Sequence, residues 1–221
     1  MPSHPQVTIL YTNQVAVQGT LALTDELLPD ARIVNIIDDS LLADVLAAGG
    51  LTRKVTRRLC QYALAAEDGG ADVILNQCSS VGEAIEVARK LVRVPIVRID
   101  EPMAEEAVVA GPRVAVAATL PTTLDPTCRL IEGTATRLGR KVSITRLLAD
   151  GAYDLLATGD AAGHNAMVME RILVAKEKAD VVVLAQGSMA VLLPELADLG
   201  VPVLTSPRLG VMRVKEIIDS L

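Results

Sequence analysis

Short runs of apolar residues alternate along the chain with longer stretches of helical periodicity. Continuous Val, Ile and Leu runs of four to six residues are typical of strands that are buried on both faces of a parallel sheet. They predict strands at about 6–11, 31–36, 71–76, 95–99, 113–118, 141–146, 180–185 and 202–205. The intervening segments, such as 83–94 and 165–179, have apolar residues at i, i+3, i+4 and i+7, which predicts amphipathic helices. This alternation predicts an α/β fold with mostly parallel sheets and right-handed crossovers.

The predicted elements occur twice in the chain. Three segments of the first half align in order with three of the second: 4–12 (HPQVTILYT) with 111–119 (GPRVAVAAT), 70–75 (GADVIL) with 178–183 (KADVVV), and 94–97 (VPIV) with 201–204 (VPVL). The offset is 107 or 108 residues throughout, and it pairs Thr12 with Thr119. Matches at a nearly constant spacing indicate a tandem duplication of one α/β half.

The duplication predicts two pseudosymmetric parallel-sheet halves, 1–100 and 101–221. We leave open whether the C-terminal segment 206–221 packs on the first half. The junction, roughly 100–112, has a helical pattern and lacks a Pro/Ser-rich linker. Open α/β sheets bind ligands beyond the carboxyl ends of their strands. Two halves that face each other would place both sets of strand ends around one shared cleft, so the residues after the strands are the first candidates for function.

Small hydroxyl and amide side chains follow several of these strands. Hydroxyls and free backbone N–H groups at helix N-termini can bind a carboxylate, but Ser and Thr at such positions also serve as plain helix N-caps. Both interpretations remain open for each residue. The candidates for substrate binding are Thr12 and Asn13, Ser79 and Ser80, Thr119 and Thr122, and Gly187 and Ser188.

Cys78 differs in position from the other two cysteines. Cys60 and Cys128 fall within predicted helical segments, where a lone cysteine is usually a small buried apolar residue. Cys78 lies between a buried strand and a predicted helix N-terminus, which lowers the pKa of a thiol by favouring the thiolate. The spacing of the three cysteines fits no zinc or disulfide pattern. The sequence therefore predicts a chemical role for Cys78.

Composition narrows the class of partner. The net charge is −6, the 21 Lys and Arg residues are scattered, and aromatic residues make up 1% of the chain, which argues against nucleic-acid binding. Apolar runs are far shorter than the roughly 18 residues that span a bilayer. The N-terminus lacks the pattern of a secretory signal, so we expect a cytoplasmic protein without a membrane partner. With only His4 and His164 available, a transition-metal site is not expected.

Three features together resemble the aspartate/glutamate/hydantoin racemase superfamily: the segment VILNQCSSVGEA around Cys78, the segment AATLPTT with Thr119 and Thr122, and the internal duplication. The resemblance covers essentially the whole chain. It implies two facing halves, each with a catalytic Cys at a strand end, and a reaction that needs no cofactor. One thiolate removes the proton from the carbon next to a carboxylate, and the other thiol delivers a proton to the opposite face. Family members often dimerise, so the resemblance also suggests a homo-oligomer.

Carried over to this chain, the resemblance makes Cys78 the first-half thiol. It makes the hydroxyl and amide groups after the strands the ligands of a small carboxylate substrate. The repeat offset of 108 pairs Cys78 with Gln186, where the family usually has its second Cys. Gln186 marks the position of the missing thiol, because an amide cannot act as an acid or base near neutral pH.

Three functions therefore remain open. The first is a cofactor-independent isomerase of the racemase type, with Cys78 as acid/base at the carbon next to a carboxylate. The second is a cofactor-independent decarboxylase of a malonate-like acid, and the third is a non-catalytic protein that binds small carboxylates. His164 would replace the second thiol only if its helix brought it to the cleft, and its sequence context is typical of a loop or helix-capping residue. Arg98 and Arg208 are the nearest cations for a second carboxylate.

Overall fold

A computed structural model describes residues 4–221 of the chain. Its strands are β1 Gln6–Tyr11, β2 Arg32–Ile37, β3 Val73–Asn76, β4 Ile96–Arg98, β5 Arg113–Ala118, β6 Ser143–Leu148, β7 Val181–Leu184 and β8 Val203–Thr205. Its helices are α1 Val17–Leu27, α2 Ser40–Ala48, α3 Arg53–Asp68, α4 Gly82–Ala88, α5 Glu101–Ala110, α6 Pro121–Arg137, α7 Ala152–Ala157, α8 Ala161–Ala175 and α9 Ser206–Ile218. Each predicted strand overlaps an observed one.

The strands form two four-stranded sheets with the same topology. The order is β2-β1-β3-β4 in one sheet and β6-β5-β7-β8 in the other, and every neighbouring pair is parallel. The α/β class and the two equivalent halves predicted from the sequence are therefore confirmed. Parallel neighbours require crossover connections, which the helices between the strands supply.

The chain divides into two compact units. One contains the residues up to Asp100 together with Pro207–Leu221, and the other contains Glu101–Ser206. Helix α9 belongs to the first unit, where Val211 and Val214 lie in the same apolar cluster as residues of β1. Gly210 lets α9 approach β4 closely, because a Cβ there would lie 2.8 Å from the Ile99 carbonyl oxygen.

The two faces of the first sheet bury different helices. Successive side chains of a strand point to opposite faces, so Ile9 and Tyr11 of β1 pack in the cluster that contains the α9 residues. Leu10 packs on the other face, together with Ala63 of α3 and Ile85 of α4. The central strands β1 and β3 are buried along their whole length, which explains their mainly apolar sequences.

The second sheet is covered in the same way. Ala117 of β5 and Leu184 of β7 pack against Val168 and Ile172 of α8, and α5 and α6 also pack on this sheet. The chain contains neither Phe nor Trp, so this core is built from aliphatic side chains and methionine. The alanines of β5 are buried and leave room for the helices to approach the sheet closely.

Candidate active site

Cys78 lies at the carboxyl end of the first sheet, next to Thr12. The register of β1 and β3 pairs Leu10 with Asn76, so Thr12 and Cys78 each stand two residues beyond the same pair. Cys78 has extended backbone angles, with φ −128° and ψ 118°, and a short 3₁₀ turn, Ser79–Val81, follows it. Helix α4 begins only after that turn.

The Cys78 side chain is buried among apolar groups from several elements. Its cluster contains Leu41 and Val45 of α2, Leu59 of α3 and Ala84 of α4. Burial raises the pKa of Cys78, and interactions with the Thr12 side chain and with the backbone and hydroxyl of Ser80 only partly oppose this effect. The predicted lowering of this pKa is therefore wrong. The thiol adjoins a 3₁₀ turn instead of the first turn of a long helix, and its desolvation outweighs the local hydrogen bonds.

Two buried polar atoms near Cys78 lack a hydrogen-bond partner of ordinary geometry among the described residues, although the Thr12 side chain lies close enough to the thiol to favour its thiolate. They are the Thr12 hydroxyl oxygen and the Asn76 side-chain oxygen, and both residues are nearly inaccessible to solvent. The Asn76 amide nitrogen donates to the Cys78 carbonyl oxygen over 3.0 Å, which ties the strand end to the thiol segment. Most buried polar groups in proteins are hydrogen-bonded, so unsatisfied ones at a strand end are candidates for contact with water or a ligand.

Asn76 was not among the residues selected from the sequence. Its signal is the amide that ends the otherwise apolar run VILN of β3. An amide in a buried strand needs a polar partner, and that requirement could have identified it.

The other first-half candidates have mixed surroundings. The Asn13 side-chain oxygen accepts from the backbone N–H groups of Val15, over 3.0 Å, and Ala16, over 3.4 Å, so it helps to order the chain before α1. Ser79 and Ser80 are buried in the 3₁₀ turn after Cys78. The serines thus lie close to the thiol along the chain, whereas the Asn13 oxygen already has partners.

Both cationic candidates are paired with carboxylates. The Arg98 guanidinium makes two hydrogen bonds of 3.1 Å to Asp100, and both side chains are buried. Arg208 makes hydrogen bonds of 2.9 and 2.7 Å to the carboxylate of Glu26 at the surface. The Arg98 guanidinium also lies directly against Gly82, the first residue of α4.

The second half has a matching pair of residues at its strand ends. The register of β5 and β7 pairs Ala117 with Leu184, so Thr119 and Gln186 again stand two residues beyond one pair. The Gln186 side-chain oxygen accepts from the backbone N–H of Thr119 over 2.6 Å and from its hydroxyl over 3.0 Å. The structure therefore brings Thr119 and Gln186 together at the end of the second sheet.

The remaining second-half candidates lie in the segments that follow. Thr122 is in the first turn of α6, and its buried hydroxyl has no partner among the described residues. Gly187 is exposed and Ser188 is partly buried, and both belong to the 3₁₀ segment Gly187–Leu192.

His164 is a buried residue of α8, so the prediction of a loop or capping position is wrong. Asp160 caps the helix, and its carboxylate accepts from the Gly163 N–H over 2.8 Å. His164 shares the buried face of α8 with Val168 and Ile172, because these positions are spaced by four residues. Its Nδ1 lies 2.9 Å from the Asn165 side-chain oxygen, and its buried Nε2 has no partner among the described residues.

Residues 4–221 contain neither a membrane-spanning helix nor a cluster of metal ligands. None of the helices there is long and apolar enough to cross a membrane. In the same part of the chain, His, Cys, Asp and Glu side chains do not gather in a group of three that suits a metal ion.

Solved structures of racemases and decarboxylases share this fold. An allantoin racemase from Klebsiella pneumoniae superposes with a TM-score of 0.73 at 19% identity, covering 98% of this chain and 88% of its own. A glutamate racemase from Bacillus anthracis gives a TM-score of 0.77 at 14% identity, with coverages of 98% and 82%. An arylmalonate decarboxylase gives 0.62 at 16% identity, with coverages of 97% and 92%.

Comparison with curated protein sequences found no match. The sequence model of the Asp/Glu/Hydantoin racemase family, in contrast, matches residues 7–214, which include all strands except Gln6 of β1 and all the candidate substrate-binding residues. The chain therefore belongs to the Asp/Glu/Hydantoin racemase family.

Proposed function

We propose that this protein is a cofactor-independent isomerase that acts at the carbon next to the carboxylate of a small acid, with Cys78 as acid/base. The observation that carries the proposal is the surroundings of Cys78. Its thiol is buried at the carboxyl end of a parallel sheet, next to unsatisfied polar atoms of Thr12 and Asn76. Family membership supports the class of reaction.

The reaction requires a weakly acidic C–H bond to be broken beside a carboxylate. Hydrogen-bond donors near the carboxylate oxygens stabilise the enediolate-like state that forms. Thr12, Ser79 and Ser80 are proposed to supply such contacts in the first half, and Thr119, Thr122 and Ser188 in the second. Positioned acids and bases commonly accelerate proton transfer by about 10² to 10⁴-fold.

The protonation state of Cys78 bears on its role. Burial raises the pKa of Cys78, so the resting group at neutral pH is the thiol, which can donate a proton. The Thr12 and Ser80 contacts lower the same pKa and would stabilise the thiolate once it forms. Removal of an α-proton requires the thiolate form of Cys78, which these contacts stabilise, whereas the thiol form can protonate a carbanion.

A second candidate is a cofactor-independent decarboxylase of a malonate-like acid. Gln186 favours it, because it occupies the position of the second thiol and cannot transfer a proton. Loss of carbon dioxide leaves a carbanion that needs only one proton donor, and Cys78 would supply it. The arylmalonate decarboxylase that shares this fold supports the chemistry as an alternative.

Proton NMR in heavy water separates these functions. The protein is incubated with aspartate, glutamate, a hydantoin and an alkylmalonate. Loss of the α-proton signal with the carbon skeleton intact supports the isomerase, whereas release of carbon dioxide supports the decarboxylase. Binding of an acid without either reaction would contradict both proposals and favour a carboxylate-binding protein.

A further inference from the structure

The two halves present different groups at equivalent positions. Thr12 and Cys78 follow the Leu10–Asn76 pair of the first sheet, and Thr119 and Gln186 follow the Ala117–Leu184 pair of the second. The two halves therefore share the backbone register and a threonine at this position. The residue next to the threonine is a cysteine in the first half and a glutamine in the second. Gln186 needs an explanation of its own.

Hydrogen bonding fixes the orientation of the Gln186 amide. A backbone N–H can only donate, so the Gln186 atom that lies 2.6 Å from the Thr119 nitrogen must be the side-chain oxygen. The Thr119 hydroxyl bonds to the same oxygen over 3.0 Å. Because the two atoms of the amide lie on opposite sides of its carbon, the NH₂ group is directed away from Thr119.

The NH₂ group makes no hydrogen bond to any described residue. Both side-chain hydrogen bonds of Gln186 use Oε1, and the residue is partly exposed beyond the end of β7. The buried Thr122 hydroxyl, three residues after Thr119 in the first turn of α6, is also without a partner among the described residues. At its strand ends the second half thus has the oriented NH₂ group of Gln186 and the Thr122 hydroxyl, and both can donate a hydrogen bond to a ligand oxygen.

We infer that Gln186 is a substrate-binding residue whose side-chain NH₂ donates to an oxygen of the acid and which transfers no proton. This inference rests on the proposed function and deepens it. It assigns Gln186, the residue that the repeat pairs with Cys78, to recognition of the acid. The substrate oxygen at this position must accept a hydrogen bond, as a carboxylate oxygen does, because the amide NH₂ can only donate.

The side-chain NH₂ resonances of Gln186 provide a test that does not depend on turnover. The protein is labelled with ¹⁵N, and the Gln186 pair is assigned from its loss in Gln186→Met. Aspartate, glutamate, a hydantoin and an alkylmalonate are then titrated in turn. We expect at least one of them to shift the Gln186 pair in a saturable manner, with a dissociation constant that matches its binding measured by calorimetry.

Two variants separate recognition from a structural role. Gln186→Glu keeps an oxygen that accepts from Thr119 and replaces the NH₂ donor with a second, negative oxygen. Gln186→Met keeps the length of the side chain and removes both functions. We expect Gln186→Met to weaken binding of the acid by about tenfold and Gln186→Glu to weaken it further, because a hydrogen bond to a charged group is lost and a repulsion is added.

The outcomes distinguish this inference from the proposed function. A shift of the Gln186 pair without any proton exchange or decarboxylation would support the inference and contradict the proposed function. Turnover of an acid that leaves the pair unshifted, with KM unchanged in Gln186→Glu, would overturn the inference alone. If none of the acids moved the pair, the inference would also be wrong.

Discussion

The packing of Arg98 against Gly82 gives a sharp prediction about the segment that follows Cys78. Gly82 has helical backbone angles, φ −55° and ψ −36°, which alanine adopts without strain. The only obstacle to alanine at this position is the space that its methyl group would need. A Cβ there would lie 2.7 Å from Nε of Arg98 and closer still to its Cζ and Nη2. Gly82→Ala must therefore displace the guanidinium.

The loss of stability depends on Asp100, the carboxylate from which the Arg98 guanidinium would be displaced. The side chain of Asp100 is 0% exposed and that of Arg98 is 5% exposed, so the displaced pair leaves a carboxylate without its cation in a dry environment. Breaking a buried ion pair by losing one partner costs about 3 to 5 kcal/mol. Partial displacement that keeps one hydrogen bond would cost less, in the range of about 1 to 3 kcal/mol for an overpacked site.

Urea unfolding of Gly82→Ala measures this cost, and Gly133→Ala is the matched control. Gly133 lies inside α6, is exposed, and has open space where the methyl group would be added. The control should stabilise the protein by about 0.5 to 1 kcal/mol, because alanine favours a helix over glycine. The same Gly82→Ala change should cost little when Arg98→Met and Asp100→Asn are already present. Equal tolerance of both glycine substitutions would refute the packing described here.

Two further predictions concern ionisation. Burial raises the pKa of Tyr11 to about 12, so the free energy of unfolding should fall by about 1 to 2 kcal/mol as the pH rises from 8 to 11, since the unfolded tyrosine releases its proton first. Urea unfolding at pH 8 and pH 11 should show that Tyr11→Phe removes this loss, and an equal loss in both proteins would contradict it. The raised pKa of Cys78 predicts that its alkylation by iodoacetamide rises with pH only above the ordinary thiol value of about 8.5. Thr12→Val should move that profile higher, because the Thr12 side chain favours the thiolate, and a midpoint below pH 8 by mass spectrometry would be inconsistent with the buried thiol.

The fold was largely predictable because strands buried on both faces have distinctive sequences. The runs in β1 and β5 predicted 6–11 and 113–118, which are the observed bounds. The edge strand β6 begins at Ser143, two residues later than predicted, because its burial is mixed and the apolar run no longer marks its start. Side-chain periodicity reports burial, and an edge strand is buried on only part of its surface.

The places of the candidate residues along the fold could be predicted from the sequence, whereas the pKa of Cys78 could not. These residues follow the strands, and the repeat in the sequence pairs Cys78 with Gln186. The pKa of Cys78 could not be predicted, because it depends on burial by α2 and α3, which are distant in sequence. The pairing of Arg98 with Asp100 was likewise not evident, since it depends on the space that Gly82 provides.

The exchange of the substrate α-proton with heavy water tests the role of Cys78 most directly. The wild-type protein, Cys78→Ser and Cys60→Ser are compared with the same acid, and Cys60 is the control because it is also a buried cysteine of the first half. We expect the exchange rate to fall by about 10² to 10⁴-fold in Cys78→Ser and to stay near that of the wild type in Cys60→Ser. An unchanged rate in a folded Cys78→Ser protein would contradict the assignment of Cys78 as the acid/base.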